Sequence, residues 1–455
     1  MLFVMPLIYS SYQIQVGALS ASLKKEGHEV EYSEFLLGER FDKVSQGALL
    51  KTLKIFSPDI ICFSSYDFNF GRINEISSFV KSKTDTPIIV GGYYASLSPD
   101  EVISYPAIDM VCVGEGEKPL SELLFRMKSR NDISGIENLY VKIGNKIYKN
   151  RVGRLIEDLD SLPFIDRNII DYQKLIGNLL DRNEIYLNMM VSRGCPYNCS
   201  YCSNHAFKRL YPNPDRYVRY RSPQNVIKEI EECAKQYKFN KIAFQDDMFV
   251  ASFNWFTDFA KEYRRKFSYP FRCNIRPESA KMETLELLKE MGCETVEMGI
   301  ESGDERIRRE VLRRNITDGM IINAVQNIKA CGLRLKTYNM VGIPHETISS
   351  LVKTIKMNFK IAPFEVQTMI YYPLKGTDLG ERSFKEGWIN ISKIKKYTSM
   401  ARGSILRHKN IPHFIIILAK WLNSATALRS GNLNLIKQFF KIFFCGNFLI
   451  LKRAR

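Results

Sequence analysis

The chain has 455 residues, of which 45% are hydrophobic, 12% aromatic and 25% charged. This composition is typical of a folded globular protein and excludes wholesale disorder and fibrous architectures. The formal net charge is +17, but residues 401–455 contain ten Lys or Arg and no Asp or Glu, which leaves +7 for the first 400 residues. A uniformly basic nucleic-acid binder is therefore disfavoured, because much of the charge belongs to a C-terminal tail.

The first residues and the cysteine content indicate the cellular compartment. The N-terminal sequence MLFVMPLIYSSYQIQ has neither a basic segment nor a small-residue cleavage site, so we expect a buried strand rather than a signal peptide. We find no run of about 18 apolar residues that predicts a membrane-spanning helix. Ten cysteines in 455 residues are too few for a disulfide framework. We therefore expect a cytoplasmic protein.

Residues 1–135 alternate short apolar runs with amphipathic segments, a pattern typical of an α/β domain with a parallel sheet. The predicted strands are LFVMPLI, EVEYSEF, DIICFSS, PIIVGGY and DMVCVGEG. Ligands of such sheets bind beyond the carboxyl ends of the strands. Small or acidic residues follow three of these ends: Ser64, Ser65, Gly91, Gly92, Gly114, Glu115 and Gly116. They predict close approach of a ligand to the backbone, although turn-forming glycines are an alternative.

A hairpin and a second α/β unit follow. Residues 136–184 contain LYVKIGNKIYK, which predicts a hairpin turning at Gly144-Asn145, and then a linker. Residues 185–390 contain six more predicted strands: YLNMMVS, KIAFQDD, FRCNI, TVEMGI, LKTYNMVG and VQTMIYYP. Six βα units form either a partial barrel or an open doubly wound sheet. In both folds the chemistry lies at the carboxyl ends of the strands.

Three cysteines follow the first strand of this second unit, in the sequence VSRGCPYNCSYCSNHAF. Their spacing is Cys195-x3-Cys199-x2-Cys202. Three thiolates on one loop can bind three irons of a [4Fe–4S] cluster and leave the fourth iron open to a substrate or cofactor. Zinc is an alternative, with His205 as the fourth ligand, and buried structural thiols are another.

The cysteine loop resembles that of the radical S-adenosylmethionine (SAM) superfamily, in which an aromatic residue such as Tyr201 usually precedes the third cysteine. Later segments resemble the strand ends of the same family in the same order: FQDDMF, RCNIRPE, GCETVEMGIESGDE, NMVGIPHET and YYPLKGTDL. The resemblance covers residues 185–390 and implies a partial (βα)6 barrel. It also implies a [4Fe–4S] cluster, SAM, and reductive cleavage of SAM to a 5′-deoxyadenosyl radical.

The resemblance also assigns polar residues of the later strand ends to SAM. The candidates for its ammonium group are Gln245, Asp246 and Asp247. The candidates for its ribose and carboxylate are Asn274, Arg276, Glu301 and Ser302, and the backbone at Gly342 is expected to meet the adenine edge. Simpler roles stay open: one Asp caps the next helix, Arg276 forms a surface ion pair, and Glu346 is a carboxylate in the first turn of a helix.

Residues 1–135 resemble the cobalamin-binding domain of one radical SAM subclass. The resemblance rests on SPDIICFSSYDFN, TPIIVGGYYASLSPDEV and IDMVCVGEGEKPLSELL, and it assigns the seven small or acidic strand-end residues to cobalamin. The Asp-x-His-x-x-Gly loop of other cobalamin domains is absent, and His28 is the single histidine before residue 200. A scaffold without cobalamin is the alternative. A methylthiotransferase is disfavoured, since only Cys62 and Cys112 precede residue 150.

Residues 391–455 lie beyond the predicted barrel and combine apolar, aromatic and basic residues. We expect a small helical region that packs on the barrel. A sharper alternative is an amphipathic surface within 401–455 that contacts anionic lipid or a lipid-like substrate, with Lys437 and Lys441 beside a Phe-rich face. Binding of single-stranded nucleic acid is a weaker alternative, and we expect no nucleic-acid partner.

The resemblance implies a cobalamin-dependent radical SAM enzyme that methylates an unactivated carbon. A cobalamin-dependent cyclisation or rearrangement is the first alternative, and a non-enzymatic protein that binds membranes or nucleic acid is the second. The expected partners are a small-molecule or lipid-like substrate and a reductant such as flavodoxin or ferredoxin. The expected location is the cytoplasm, with peripheral membrane contact through residues 401–455 as the open alternative.

Overall fold

The computed structural model describes residues 1–7, 14–36, 41–170, 172–177, 184–390, 403–408 and 411–430. Its N-terminal sheet has seven strands: β1 (Leu2–Leu7), β2 (Glu31–Leu36), β3 (Ile61–Ser64), β4 (Ile88–Gly91), β5 (Met110–Cys112), β6 (Leu139–Ile143) and β7 (Lys146–Lys149). The order is β2-β1-β3-β4-β5-β6-β7. The first five strands are parallel, and β6 and β7 are antiparallel. The chain order reverses between β1 and β3, which is where such sheets bind ligands.

Helices cover both faces of this sheet, which explains why its central strands are continuous apolar runs. The helices are α1 (Ile14–Lys25), α2 (Lys43–Phe56), α3 (Phe70–Lys81), α4 (Gly92–Leu97), α5 (Pro99–Ser104) and α6 (Glu117–Lys128). Leu23 of α1 and Leu123 of α6 belong to the core on one face, and Ile73 of α3 and Val102 of α5 belong to the core on the other. The expected α/β domain is therefore present.

The predicted hairpin forms β6 and β7 and extends the N-terminal sheet at its β5 edge. Gly144 has a φ of +58°, as the tight turn requires. The following segment runs to the second unit and contains a short helix, α7 (Tyr172–Gly177). Arg167 of this segment lies in the barrel core, where Nη1 donates to Glu229 Oε1 at 2.6 Å and Nη2 donates to the Asn188 carbonyl at 2.9 Å.

The second unit is a half-barrel of six parallel strands: β8 (Tyr186–Met189), β11 (Lys241–Phe244), β12 (Phe271–Ile275), β13 (Cys293–Glu301), β14 (Arg334–Val341) and β15 (Glu365–Ile370). The strands are ordered as in the chain, β8-β11-β12-β13-β14-β15. No reversal of order occurs, so right-handed crossovers place the helices on one face. The alternative of an open doubly wound sheet is therefore wrong. A two-stranded ribbon of β9 (Ser192–Arg193) and β10 (Arg219–Tyr220) follows β8.

The outer face of the half-barrel is apolar and its inner face is polar. The helices after the cysteine loop are α8 (Ser203–Lys208), α9 (Pro223–Gln236), α10 (Phe253–Lys266), α11 (Met282–Glu290), α12 (Asp318–Ala330), α13 (Ile348–Ile361) and α14 (Asp378–Lys385). Alternate residues of β12, such as Phe271 and Cys273, belong to the core packed by these helices. On the inner face, Arg272 Nη1 lies 3.3 Å from Glu297 Oε1. A polar inner face suits small polar ligands.

The C-terminal region forms a helix, α15 (His413–Ala425), which packs against β15 and α13 as the expected helical region. Asn423 Nδ2 donates to Thr368 Oγ1 at 3.0 Å. Lys437 and Lys441 lie outside the described residues. Among the helices of the described part, none is long and apolar enough to span a bilayer.

Candidate functional site

The three predicted iron ligands lie on one loop between the β9 strand and α8. Gly194 begins this loop with a φ of +91°, and a Cβ there would collide with the Tyr217 carbonyl, so the turn requires glycine. Cys199 is buried, and Cys195 and Cys202 are half-buried. All three are free thiols. The loop follows the carboxyl end of β8 through the short ribbon, as the sequence predicts.

The thiols of Cys195 and Cys202 lie in a partly buried setting that disfavours their ionised form in the absence of iron. Burial raises the pKa of the Cys202 thiol to about 12 and raises that of Cys195 as well. Arg276 Nη1 lies 3.4 Å from Cys199 Sγ. Bound iron ionises thiols because its charge offsets the burial. Within the described ranges, no three His, Cys, Asp or Glu side chains are arranged around a single metal ion, whereas a cube places three thiolates on three different irons.

His205, the candidate fourth zinc ligand, is paired with a carboxylate through one of its ring nitrogens. Its Nε2 lies 3.3 Å from Asp378 Oδ2, on α14. Burial lowers the pKa of the His205 imidazole, although Asp378 acts in the opposite direction. Nε2 is therefore engaged with a carboxylate that the spacing alone did not predict, whereas Nδ1 is buried with no hydrogen-bond partner among the described residues.

Of the three candidates at the end of β11, Asp246 is held inside the protein. It is fully buried, and its Oδ1 accepts hydrogen bonds from Ser192 N at 2.6 Å, Ser192 Oγ at 2.5 Å and Val191 N at 3.0 Å. Burial raises its pKa to about 7. These contacts join the exit of β8 to β11, so Asp246 supports the start of the cysteine loop.

Asp247 and Gln245 are accessible, in contrast to Asp246. The Asp247 side chain is exposed, but the surrounding protein removes part of its hydration. This desolvation raises its pKa, although Asn204 donates a hydrogen bond to it. Its charge acts on both Cys195 and Cys202. Neither Asp caps the next helix, because α10 begins after Ser252, which accepts from Trp255 N. The expected helix-capping role is therefore wrong.

Gln245 and Asn274 lie on either side of this acidic pair. Gln245 Nε2 donates to Asn188 Oδ1 at 3.0 Å on β8. Asn274 Nδ2 donates to the Asp246 carbonyl at 2.9 Å. The two amides thus connect three neighbouring strands at their carboxyl ends, and their accessible atoms face the same edge as the cysteine loop.

Arg276 is a buried residue beside the cysteines rather than a surface residue. It is 8% exposed, and its guanidinium lies 3.5 Å above the centre of the Tyr197 ring. Nη2 donates to Glu278 Oε1 at 2.7 Å. The alternative of a surface ion pair is therefore wrong in its location: Arg276 does form an ion pair, but the residue is buried against the cysteine loop.

Glu301 and Ser302 end β13 in different ways. Glu301 adopts a φ of +66°, which is uncommon for a residue with a side chain, and its Oε1 lies 3.5 Å from Arg314 Nη1. Arg314 also donates to Tyr201 Oη at 3.3 Å, which links β13 to the cysteine loop. Ser302 is fully buried, and its Oγ accepts from Asp304 N at 3.2 Å. Ser302 is therefore engaged within its own turn.

The end of β14 is closed by a buried carboxyl group. Gly342 has a φ of +74°. Glu346 Oε2 accepts from Gly342 N at 2.7 Å and from Ile343 N at 3.0 Å, so the Gly342 N–H expected at the adenine edge is already bonded. Thr347 caps α13, and Glu346 precedes it, so the expectation of a first-turn carboxylate is wrong. Burial raises the pKa of Glu346 to about 8.

The carboxyl ends of β3 and β4 approach each other closely. Gly92 has a φ of +84°, and a Cβ there would lie 2.6 Å from Ser64 Oγ and 2.8 Å from Ser65 N. Ser65 Oγ donates to the Gly91 carbonyl at 2.8 Å and accepts from Ala95 N at 3.0 Å. Ser65 therefore joins the two strand ends. Because Gly92 has no side chain, the edge between them stays uncovered.

At the end of β5, Gly114 and Glu115 contact the second unit, and Gly116 packs against α1 of its own domain. Gly114 has a φ of +85°, and a Cβ there would collide with the Tyr211 hydroxyl group. Glu115 accepts from Arg193 Nη1 at 3.1 Å and from Arg219 Nη1 at 3.1 Å. A Cβ at Gly116 would lie 3.1 Å from the Leu19 side chain. These three residues therefore pack against protein.

Aromatic side chains join the β3 and β4 ends to the cysteine loop. Tyr66 stacks between Phe68, at 5.2 Å, and Tyr93, at 6.3 Å. Tyr93 also contacts Phe207 of α8 at 5.7 Å. The carboxyl edge of the first sheet therefore faces the cysteine loop. His28 precedes β2 and lies at the opposite edge.

Sequence reasoning missed several residues of this junction. Arg193, Arg219 and Arg314 are half-buried or buried and join the cysteine loop to its surroundings. Tyr66 and Tyr93 were overlooked beside the serines and glycines. Arg193 directly precedes Gly194 and Cys195, and an arginine beside a buried site is a signal that could have been used.

Comparison with known proteins agrees with this architecture. The model of the radical SAM superfamily matches residues 189–357, and that of the B12 binding domain matches residues 9–124. An "uncharacterized methyltransferase" of Pyrococcus horikoshii is 26% identical over 90% of this chain and 88% of its own. An anaerobic magnesium-protoporphyrin IX monomethyl ester cyclase of Rubrivivax gelatinosus is 26% identical over 80% of this chain and 66% of its own.

The fold is shared with TsrM of Kitasatospora setae, a radical SAM methyltransferase solved with cobalamin and a [4Fe–4S] cluster. The TM-score is 0.67, with 18% identity over 85% of this chain and 74% of that chain. A radical SAM domain implies a [4Fe–4S] cluster and SAM, and a B12-binding domain implies cobalamin. The chain therefore carries a radical SAM domain preceded by a B12-binding domain.

Proposed function

We propose that the protein is a cobalamin-dependent radical SAM methyltransferase that acts on an unactivated carbon. One observation carries this proposal: the carboxyl edge of the first sheet, at β3 and β4, faces the cysteine loop at the carboxyl edge of the half-barrel. Tyr93 contacts Phe207 across this junction at 5.7 Å. A substrate held there would lie between the two cofactor sites.

Within this proposal, Cys195, Cys199 and Cys202 bind the cluster. When bound, the cluster and SAM supply a 5′-deoxyadenosyl radical, and cobalamin supplies the methyl group. Arg276 lies beside Cys199 and stabilises negative charge on the sulfurs. Asp246 and Ser192 hold the exit of β8 and so fix the position from which the loop starts.

The SAM contacts are divided between accessible and supporting residues. Gln245 and Asp247 are exposed, and we assign the ammonium group to them. We assign the carboxylate or ribose to Asn274, Arg276 and Glu301 at the neighbouring strand ends. Asp246, Ser302 and Glu346 act indirectly, because their polar atoms are bonded to the protein backbone. The Gly342 N–H is occupied by Glu346, so its carbonyl is the group left for adenine.

The proposed cobalamin edge consists of Ser64, Gly91 and Gly92. Gly92 lacks the side chain that would collide with Ser64, which keeps this edge open to a flat macrocycle. The aromatic residues Tyr66 and Tyr93 supply an apolar surface beside it. In the described ranges, the single histidine of the first sheet's domain is at the opposite edge, so we propose that no histidine of this domain ligates the cobalt.

The partners follow from the cofactors and from the surface of α15. A radical SAM enzyme needs a one-electron reductant, for which we propose a flavodoxin or a ferredoxin. Phe414, Leu418 and Leu422 lie on one side of α15 and are 65%, 48% and 48% exposed. Because α15 has no acidic residue, we propose that this face contacts anionic lipid or a lipid-like substrate.

Cyclisation or rearrangement is the second candidate reaction, and the similarity to a magnesium-protoporphyrin monomethyl ester cyclase favours it. Product analysis separates the two. The protein is reconstituted anaerobically with iron and sulfide, loaded with hydroxocobalamin, reduced with titanium(III) citrate and supplied with SAM. Methylation predicts S-adenosylhomocysteine that depends on cobalamin, in addition to 5′-deoxyadenosine. Formation of 5′-deoxyadenosine alone would contradict methylation and favour rearrangement.

A further inference from the structure

Four charged side chains join the two domains in a group that we call the interdomain ion cluster: Glu115, Glu117, Arg193 and Arg219. Glu115 lies in the loop after β5 and Glu117 begins α6, and the two arginines lie on the paired strands β9 and β10. Arg193 donates from Nη1 to Glu115 Oε1 at 3.1 Å and from Nη2 to Glu117 Oε1 at 2.6 Å. Arg219 Nη1 lies 2.9 Å from Glu115 Oε1. Each arginine thus binds a carboxylate of the other domain.

These ion pairs are shielded from solvent. The side chains of Arg219 and Glu117 are each 7% exposed, and that of Arg193 is 24% exposed. Although burial opposes ionisation, Arg193 and Arg219 lower the pKa of Glu115 below its usual range. Partly buried ion pairs of this kind are screened little by salt.

Neighbouring hydrogen bonds fix the geometry of the cluster. Ile156 N donates to Glu115 Oε2 at 3.0 Å, and Arg219 Nη1 donates to the Ile156 carbonyl at 2.8 Å. Glu115 N donates to the Tyr211 hydroxyl oxygen at 2.9 Å. The carboxylate of Glu115 is therefore held by the linker and by two arginines of the second domain, which leaves it little freedom to rotate.

The interdomain ion cluster lies at the root of the cysteine loop. Arg193 is followed directly by Gly194, whose φ of +91° turns the chain, and then by Cys195. A Cβ at Gly194 would collide with the Tyr217 carbonyl, so the turn is packed tightly against the segment before β10. A shift of Arg193 relative to β5 would therefore move the first iron ligand relative to the B12-binding domain.

We propose that Arg193 is a positioning residue that sets the distance between the cysteine loop and the B12-binding domain through Glu115 and Glu117. This inference rests on the proposed function, and it gives the Gly114–Glu117 segment a role other than contact with cobalamin. Methyl transfer needs the two cofactors at a fixed separation, whereas cleavage of SAM at the cluster needs only the half-barrel. Loss of the contact should therefore affect the first process much more than the second.

The test compares Arg193→Gln and Glu117→Gln with wild type, all reconstituted with iron and sulfide and loaded with hydroxocobalamin. Glu122→Gln is the matched control, because Glu122 also lies on α6 but pairs with Arg126 at the surface, with side-chain exposures of 44% and 29%. Pulsed electron–electron double resonance between cob(II)alamin and the reduced cluster measures their separation. Iron and cobalamin contents per chain report whether both sites remain formed.

We expect Arg193→Gln and Glu117→Gln to broaden or shift the distance distribution, while Glu122→Gln keeps that of wild type. S-adenosylhomocysteine formation should fall at least about tenfold, while 5′-deoxyadenosine formation stays within about threefold of wild type. Unchanged distances in both variants would overturn the inference. If Arg193→Gln does not fold, Glu117→Gln decides, because Arg193 then keeps its bond to Glu115.

The failure of this inference is distinguishable from failure of the proposed function. If wild type forms no S-adenosylhomocysteine, the proposed methylation fails, but the distance measurement still tests the positioning role. If wild type forms S-adenosylhomocysteine, and the variants form it at the same rate and keep the wild-type distance, only the positioning role fails.

Discussion

Glu346→Gln isolates the effect of a single buried carboxyl group at the end of β14. Glu346 is 6% exposed, and its Oε2 accepts from Gly342 N and Ile343 N at 2.7 and 3.0 Å. Burial raises its pKa from 4.5 to about 8. Between these pH values the folded chain keeps a proton that the unfolded chain has released, so stability is lost as the pH rises through this window.

The size of the effect follows from the same shift. Each pH unit within the window costs about 1.36 kcal/mol, and the part that accrues between pH 5 and pH 9 is about 4 kcal/mol. Glutamine keeps an oxygen that can accept from the same two N–H groups, but it does not ionise. The free energy of unfolding of the variant, relative to wild type, should therefore rise by about 4 kcal/mol from pH 5 to pH 9.

Urea unfolding followed by circular dichroism at pH 5, 7 and 9 measures this difference. Glu310→Gln is the control, because the Glu310 side chain is 68% exposed, and its difference from wild type should vary by less than about 0.5 kcal/mol. The reasoning would be refuted if the Glu346→Gln difference changed by less than about 1 kcal/mol over this range or moved in the opposite direction.

Three further substitutions test the sites and the packing. Cys199→Ala should abolish the [4Fe–4S] absorbance after anaerobic reconstitution, whereas Cys233→Ala, in the core near α9, should keep it; equal spectra would contradict the ligand assignment. Gly92→Ala places a Cβ 2.6 Å from a neighbouring hydroxyl oxygen, so cobalamin affinity in a gel-filtration assay should fall at least about tenfold. Gly27→Ala, with a similar φ of +83° and nothing within 4 Å, should leave that affinity unchanged. Glu229→Gln leaves two buried guanidinium groups without their carboxylate and should lower the free energy of unfolding by about 3–5 kcal/mol; a loss below about 1 kcal/mol would contradict that account.

The positions of the strands along the chain could be predicted because local sequence determines them. The apolar runs of β1 and β3 are buried on both faces of a parallel sheet, and such runs are visible in the sequence without any partner. The Gly144-Asn145 turn is equally local. The positions of the cysteine loop and of the two carboxyl edges follow from this pattern once the chain is known to alternate strands and helices.

The partners of individual side chains could not be predicted, because they come from distant parts of the chain. Glu115 resembled a cobalamin contact, yet its carboxylate binds Arg193, which is 78 residues away. Asp246 resembled a SAM contact, but its oxygen accepts from Ser192, 54 residues earlier. A motif shows which residue types are present at a strand end. Only the packing of neighbouring elements shows which of them face the cavity and which support it.

The central claim is that this chain transfers the methyl group of SAM through cobalamin. The most direct measurement supplies the reconstituted, cobalamin-loaded and reduced protein with SAM that carries a trideuterated methyl group, and then analyses the products by mass spectrometry. The account predicts S-adenosylhomocysteine together with deuterium in the cobalamin fraction, and neither product in Cys199→Ala. Cleavage of SAM to 5′-deoxyadenosine with no label in the cobalamin fraction would contradict it.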